Sequence, residues 1–281
     1  MDGPVVVDES ARVRPAGPMA GYAAWYSGYR QAGLPPGRHR GLPSPYLTLI
    51  FTLDDPLTVA MHPESGRGPA TYRALVGGLH TVPALITHPG RQSGVQVGLD
   101  PLAARALLGL PAGELAGLDV PAEVLLGPLA AEIRERLLAA ADWPSRFAVL
   151  DGLLARAARP GPEVPPEVRE AWRRLRRSGG RVPVSALAAE VGWSERHLAA
   201  RFRRETGLSP KEAARVVRFD RARRRAAAGG GRLAELAAEC GYFDQAHLAR
   251  EFRALAGVAP SVWLAEEFRF VQAAAVPAGA L

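Results

Sequence analysis

From Leu187 to Phe202 the chain reads LAAEVGWSERHLAARF, and from Leu236 the same apolar and polar rhythm returns as LAAECGYFDQAHLAREF, with one extra residue in the turn. In the first copy Leu187, Ala188 and Val191 fall on one helical face, and Gly192 supplies a residue that turns where others would be strained. Ser194 then stands as an N-cap, and Leu198 and Phe202, four apart, share the inner face of the following helix. The second copy repeats the plan with Leu236, Ala237 and Cys240 inside, Gly241 at the turn, Asp244 as cap, and Leu248 and Phe252 inside. Trp193 and Tyr242 take the equivalent place after each glycine. The pattern predicts helix, tight turn, helix, twice over. The small residues Ala188, Ala189, Ala237 and Ala238 let the two helices of each unit cross closely.

Between the copies lies LSPKEAARVVRFDRARRRAAAGGG. Ser209, Pro210 and Glu212 spell a capped helix start, Val216, Val217 and Phe219 supply apolar contacts, and Gly229 to Gly231 stop the helix. A helix of about 18 residues is near 27 Å long, stiff enough to hold two heads apart. Two heads on such a bar enter successive major grooves, about 34 Å apart on one face of a duplex, or bend the DNA until they do.

With Leu198 and Phe202 inside, the second helix of the first unit turns outward Glu195, Arg196, Ala199, Ala200 and Arg203, and its counterpart turns outward Gln245, Ala246, Ala249, Arg250 and Arg253. The caps Ser194 and Asp244, with Lys211 at the start of the linking helix, complete the candidate DNA-binding set. Small residues permit close approach, while Arg suits guanine and Gln suits adenine in the major groove. A single face of this kind is ordinarily a solvated surface. Charge changes the picture: residues 1–165 carry a net −1 and residues 166–281 a net +8, so the excess positive charge of the +7 chain lies in the half that holds the repeat. Lys211 is the only lysine, and a GC-rich coding bias accounts for the preponderance of arginine.

On these residues, from roughly Val168 to Glu267 and ending with Gly257 and Pro260, the chain resembles the DNA-binding domain of the AraC/XylS family of bacterial transcription regulators. The resemblance implies about seven helices carrying two recognition helices in one chain, with Arg196, Ala199 and Ala200 at the base-facing surface of the first and Gln245, Ala246 and Arg250 at that of the second. Members often have a polar side chain where this chain has Ala199 and Ala200, so readout by the first helix would rest on Glu195, Arg196 and Arg203, or on thymine methyls and DNA shape. Double-stranded DNA is the implied partner, and RNA polymerase, a small-molecule effector and a second copy of the chain are further candidates. Activation and repression both stay open.

The N-terminal half reads differently. Residues 44–99 hold short apolar runs, PYLTLIFTL, PLTVAM, YRALVGGL, ALITH and GVQVGL, punctuated by Pro and Gly, and Leu47, Leu49, Phe51 and Leu53 alternate as in a half-buried strand. A small antiparallel sheet or barrel is predicted, followed by two helices, Ala122 to Ala141 and Trp143 to Ala158. Val124, Leu125, Leu129, Ile133 and Leu137 form one stripe, which either packs on the sheet or pairs with a second protomer. The phrasing of this half is similar to the sensor-like domains of some AraC regulators, which look like reduced cupin barrels and often bind an effector. The expected class is therefore α+β, with an N-terminal sensor or dimerisation domain over 1–160 and a DNA-binding domain over 166–270. Within the latter the first helix-turn-helix spans about 184–206, the linker helix 210–228 and the second helix-turn-helix about 233–256. Tyr72, Arg73 and His80 are the candidate effector-binding residues.

Other chemistries find little support. His62, His80 and His88 lack the closely set His-x-His pair and accompanying Glu of a metal-binding cupin, so they are expected as surface or strand-end residues, with no metal and no cofactor. Alkyl-transfer repair proteins and amidase-like domains both occur fused to such DNA-binding units, but each needs a reactive cysteine outside the reading heads. The single cysteine, Cys240, falls inside the second unit, where a small buried hydrophobe is required. No Gly-rich phosphate loop or Ser/His/Asp grouping appears, so no catalytic residue is assigned. No apolar run nears the roughly 20 residues of a membrane span, and MDGPVVVDES lacks the form of a signal peptide, so the cytoplasm is expected.

Overall fold

The run QSGVQVGL folds as a strand, Gln92–Leu99, whose two faces meet different surroundings. Val95, Val97 and Leu99 are fully buried against helices, whereas Gln92 and Gln96 line an internal cavity. That division runs through the whole N-terminal region. The computed structural model describes residues 6–159, 163–229 and 231–267. Among the described residues ten strands, β1 (Val7–Val13), β2 (Ala23–Ala32), β3 (Gly37–Gly41), β4 (Leu47–Thr52), β5 (Leu57–Met61), β6 (Ala70–Tyr72), β7 (Ala74–Gly77), β8 (Ala84–His88), β9 (Gln92–Leu99) and β10 (Asp119–Pro121), form two antiparallel sheets. One has the order β1-β2-β9-β4-β7-β10 and the other β3-β8-β5-β6.

Register explains the division. Ser27 pairs with Gln96, Gln96 with Ile50, and Ile50 with Leu75, placing polar and apolar side chains together on the cavity face. One residue along, Tyr26, Val97, Leu49 and Val76 form the neighbouring row, and each is at most 1% exposed. This outer row is covered by α1 (Ala104–Leu108), α2 (Ala122–Leu126), α3 (Pro128–Ala139) and α4 (Trp143–Ala157). Tyr26 stacks on Phe147 with ring centroids 6.0 Å apart, and its hydroxyl donates to Asp151 at 3.2 Å. A Cβ on Gly28 would lie 2.2 Å from the Trp143 ring, so only glycine lets α4 approach there.

Three details differ from the sequence reading. The sheets begin at Val7, well before residue 44, because β1 to β3 are exposed or mixed in character and carry no clean apolar run. Strand β4 is buried on both faces rather than one, since Ile50 faces the second sheet. The helix expected over 122–141 is broken at Gly127, whose φ of 57° and following Pro128 start a new helix. Ile133 and Leu137 of the stripe are fully buried and Leu125 and Leu129 pack partly buried against the same core, so the stripe turns inward on both sides of the break and only Val124, 70% exposed, stands out of it.

The C-terminal region is all helical: α5 (Pro166–Arg177), α6 (Val184–Glu190), α7 (Glu195–Thr206), α8 (Pro210–Ala227), α9 (Leu233–Cys240), α10 (Gln245–Ala256) and α11 (Pro260–Glu267). Ser194 and Asp244 cap α7 and α10 through the backbone amides of His197 and His247, and Ser209 and Glu212 close a full capping box on α8. Gly192 and Gly241 take φ of 71° and 78° at the two turns. The core is continuous between the two regions. Trp172 and Arg176 of α5 both donate to Asp100, and Arg176 also reaches the Tyr46 hydroxyl at 2.7 Å.

Candidate DNA-reading surface and internal cavity

Each reading unit is held by the helix between them. Arg203 of α7 pairs with Glu212 at 2.7 Å, and Glu251 of α10 pairs with Arg215 at 3.0 Å. Glu212 and Arg215 lie three residues apart, nearly one turn of α8, so the first two turns of the linker helix brace both second helices. Phe219 meets Phe252 edge-on with centroids 4.9 Å apart and anchors α10 further along the bar.

The outward faces are open. Ser194, Glu195, Arg196, Ala200, Arg203, Lys211, Asp244, Gln245, Ala246, Arg250 and Arg253 are exposed, and Ala199 and Ala249 are half-buried at the edge of each face. Arg196, Lys211, Arg250 and Arg253 have no ion pair among the described residues, leaving their charge available to an outside anion. Arg203 is committed to Glu212 and remains 58% exposed. Trp193 and Tyr242 meet His197 and His247 edge-on, so each turn is fastened in the same way.

One residue on this surface was not singled out by the sequence. Phe243, the extra residue of the second copy, is 92% exposed beside the cap Asp244, and its amide donates to His247 Nδ1 at 3.3 Å. The insertion itself was the signal, since it places a large apolar side chain where the first copy has none.

Residues 187–266 match the model of a helix-turn-helix domain of AraC type, and residues 11–121 match a domain of unknown function, DUF6597. The chain carries an AraC-type helix-turn-helix domain and is a DNA-binding transcription regulator. No curated protein matches the sequence. Among solved structures, unsaturated fatty acid bound ToxT from Vibrio cholerae is 8% identical over 94% of this chain and 96% of its own, with a TM-score of 0.50. ToxT bound to (E)-4-(8-methylnaphthalen-1-yl)but-3-enoic acid is 11% identical over 84% of this chain and 96% of its own, also with a TM-score of 0.50. The C-terminal domain of AraT, a response regulator from Geobacillus stearothermophilus, is 19% identical over 38% of this chain and 89% of its own, with a TM-score of 0.36. At these identities the two ToxT likenesses establish the fold, an antiparallel β-sheet region followed by an all-helical domain. No described helix of this AraC-type regulator is long and apolar enough to cross a membrane.

The regulator also holds a cavity of about 130 Å³ between the two sheets, closed at one end by α8 and α11. That is close to the size of an engineered apolar cavity that accepts benzene, yet this one is lined in large part by polar groups. At the helical end the Arg12 guanidinium lies 4.1 Å from the Trp25 ring centroid, and Arg223 and Arg224 share Asp220. Burial, followed by repulsion from Arg223 and Arg224, lowers the Arg12 pKa to about 10. Arg12 has no carboxylate partner among the described residues, so three guanidinium groups face one carboxylate. The Trp263 indole N–H, in a residue 1% exposed, lines the same end without a hydrogen-bond partner.

At the sheet end His80 and Asp119 line the cavity. Of the three candidate effector residues only His80 does so: Tyr72 is buried behind Asp119, its hydroxyl 3.5 Å from the Asp119 carbonyl oxygen, and Arg73 is exposed away from the cavity. His62 and His88 sit at strand ends and are buried rather than on the surface, His62 Nδ1 lying 2.6 Å from Asp119 Oδ2. Arg12, Trp25, Asp119, Arg223 and Trp263 are scattered over more than two hundred positions, which is why no local motif announced them. The alternation of Gln92, Gly94, Gln96 and Gly98 with Val95, Val97 and Leu99 is the trace the cavity leaves in the sequence.

Proposed function

We propose that this DNA-binding regulator is controlled by a small effector held in the cavity between the sheets, and that its two helix-turn-helix units read successive major grooves through Arg196, Gln245 and Arg250. The observation that carries the effector reading is the helical wall of the cavity: Asp220, Arg223 and Arg224 belong to α8, the helix that braces both reading units. A molecule bound against them touches the bar on which both heads are mounted. The acid ligands named for the two ToxT structures are in keeping with an organic effector for this fold.

Ala199 and Ala200 leave the first recognition face short of hydrogen-bonding groups, so its readout rests on Arg196 and on close approach to the groove wall, while Gln245 and Arg250 supply edge contacts for the second. In this reading the Ser194 hydroxyl, Lys211, Arg203 and Arg253 contact phosphates and so position the two helices, while Asp244, whose carboxylate would repel a phosphate, serves as the cap of α10.

Selection of binding sites from random duplexes, followed by a thermal-shift screen of small metabolites on the full chain, tests both halves. Enrichment of a bipartite site and a rise in melting temperature with one metabolite class are expected. A flat thermal response across the library would leave the N-terminal region as a protein-contact module. Failure to enrich any site would remove the groove assignment.

A further inference from the structure

The two ends of the cavity differ in chemical character. The helical end offers donors: Arg12 stacked on Trp25, the Arg223 and Arg224 pair, and the unpartnered Trp263 N–H. A buried indole N–H without an acceptor is costly, and three guanidinium groups around the single carboxylate of Asp220 leave positive charge in excess, so this end suits an anion.

The sheet end offers acceptors. Asp119 Oδ2 is engaged by His62, while Oδ1 has no partner among the described residues and Asp119 lines the cavity. His80 Nδ1 lies 2.5 Å from the carbonyl oxygen of Val82, which can only accept, so Nδ1 carries the proton. Burial lowers the His80 pKa against the opposing pull of that carbonyl and of Asp119. With Nδ1 donating to Val82, Nε2 is the ring atom left to accept.

Between the ends the lining is mixed. Ser27, Thr48 and Gln96 share it with Ile50, Leu75 and Ile86. A plain fatty acid satisfies the donor end and strands the acceptors. A plain amine does the reverse.

We infer that the effector is a small dipolar molecule, with a carboxylate or equivalent anion at Arg12, Arg223 and Arg224 and an ammonium or other strong donor at Asp119 and His80. This rests on the proposed effector role of the cavity and goes further by fixing the ligand's charge pattern.

The test uses the full chain and three probe series of matched length: unbranched ω-amino acids from two to eight carbons, the corresponding carboxylic acids and the corresponding amines. Affinities are measured by calorimetry. At one or more chain lengths the amino acid is expected to bind at least tenfold more tightly than both of its singly charged counterparts. Asp119→Asn should erase its advantage over the carboxylic acid, and Arg223→Gln its advantage over the amine. Carboxylic acids that bind as well as the amino acids at every length would overturn the inference, as would the absence of binding by all three series at millimolar concentration. Neither result removes the effector role itself. That role falls only if a broad metabolite library also leaves the melting temperature unchanged, so the two failures are distinguishable.

Discussion

Arg105 of α1 grips Glu205 of α7 in a two-pronged ion pair, Nε to Oε2 at 2.7 Å and Nη2 to Oε1 at 2.9 Å. Glu205 lies near the end of the first recognition helix and is 5% exposed. The neighbouring 3₁₀ turn Ala112–Leu115 brings Gly113 so near that a Cβ there would sit 2.3 Å from the Arg204 carbonyl oxygen. The first reading head is thus bolted to the N-terminal region at its inner end while its outer face stays open. Removing the cation leaves a buried carboxylate uncompensated. Arg105→Ala should cost about 3 kcal/mol in urea denaturation, and adding Glu205→Gln should recover most of that loss. Equal stabilities for the single and double variants would show that the pair does not brace the head.

Arg196 and Arg250 project from the two recognition helices without an ion pair among the described residues. Each replaced by Ala should lower affinity for a selected site by about 1 to 3 kcal/mol and relax preference at one base position. Lys211→Ala, at the start of the linker helix, should weaken all sequences alike and reduce the salt slope by about one. Electrophoretic titrations over a panel of single-base variants separate the two behaviours. An Arg250→Ala protein with an unaltered profile would take that residue out of the reading surface.

Phe243 is expected to meet sugar or a thymine methyl beside the second recognition helix. An apolar contact releases no counter-ions, so Phe243→Ala should weaken DNA binding by about tenfold with the salt slope unchanged. A change in slope would mean that the residue acts by displacing Asp244 and the phosphate contacts around it. Unchanged affinity would assign Phe243 to some other partner.

His39 and His88 lie with ring centroids 6.0 Å apart, both buried. Burial, aided by His88, lowers the His39 pKa to about 4, and burial also lowers that of His88. A depressed histidine pKa means that the unfolded chain takes up the proton first. Stability is then full above the unfolded value near 6.5 and falls as pH drops toward 4. For His39 alone the loss between pH 7 and pH 5 is on the order of 2 kcal/mol. Thermal melts of the wild type and His39→Phe across this range should show a smaller acid-induced drop in the variant, and parallel curves would exclude the pair as a source of acid sensitivity.

The helix-turn-helix pair could be read from the chain because everything that defines it is local. Leu198 with Phe202 and Leu248 with Phe252 are four residues apart, the caps Ser194, Ser209 and Asp244 act within three residues, and Gly192 and Gly241 need only their own φ. The break at Gly127–Pro128 was also written locally, and the apolar stripe of Ile133 and Leu137 masked it. β1 to β3 escaped notice because an edge strand such as β1, with three exposed residues in succession, need not alternate.

The sequence by itself determined two reading heads, the bar between them and the side each turns outward, because helix periodicity and capping are settled over one or two turns. The cavity and the Arg105–Glu205 bolt were decided only by the tertiary structure. Arg12 and Arg223 stand 211 positions apart, and strand register and helix packing, which no short stretch encodes, bring them to the same chamber. Electrostatic partnership depends on distance in space, so it becomes visible only once the chain has folded.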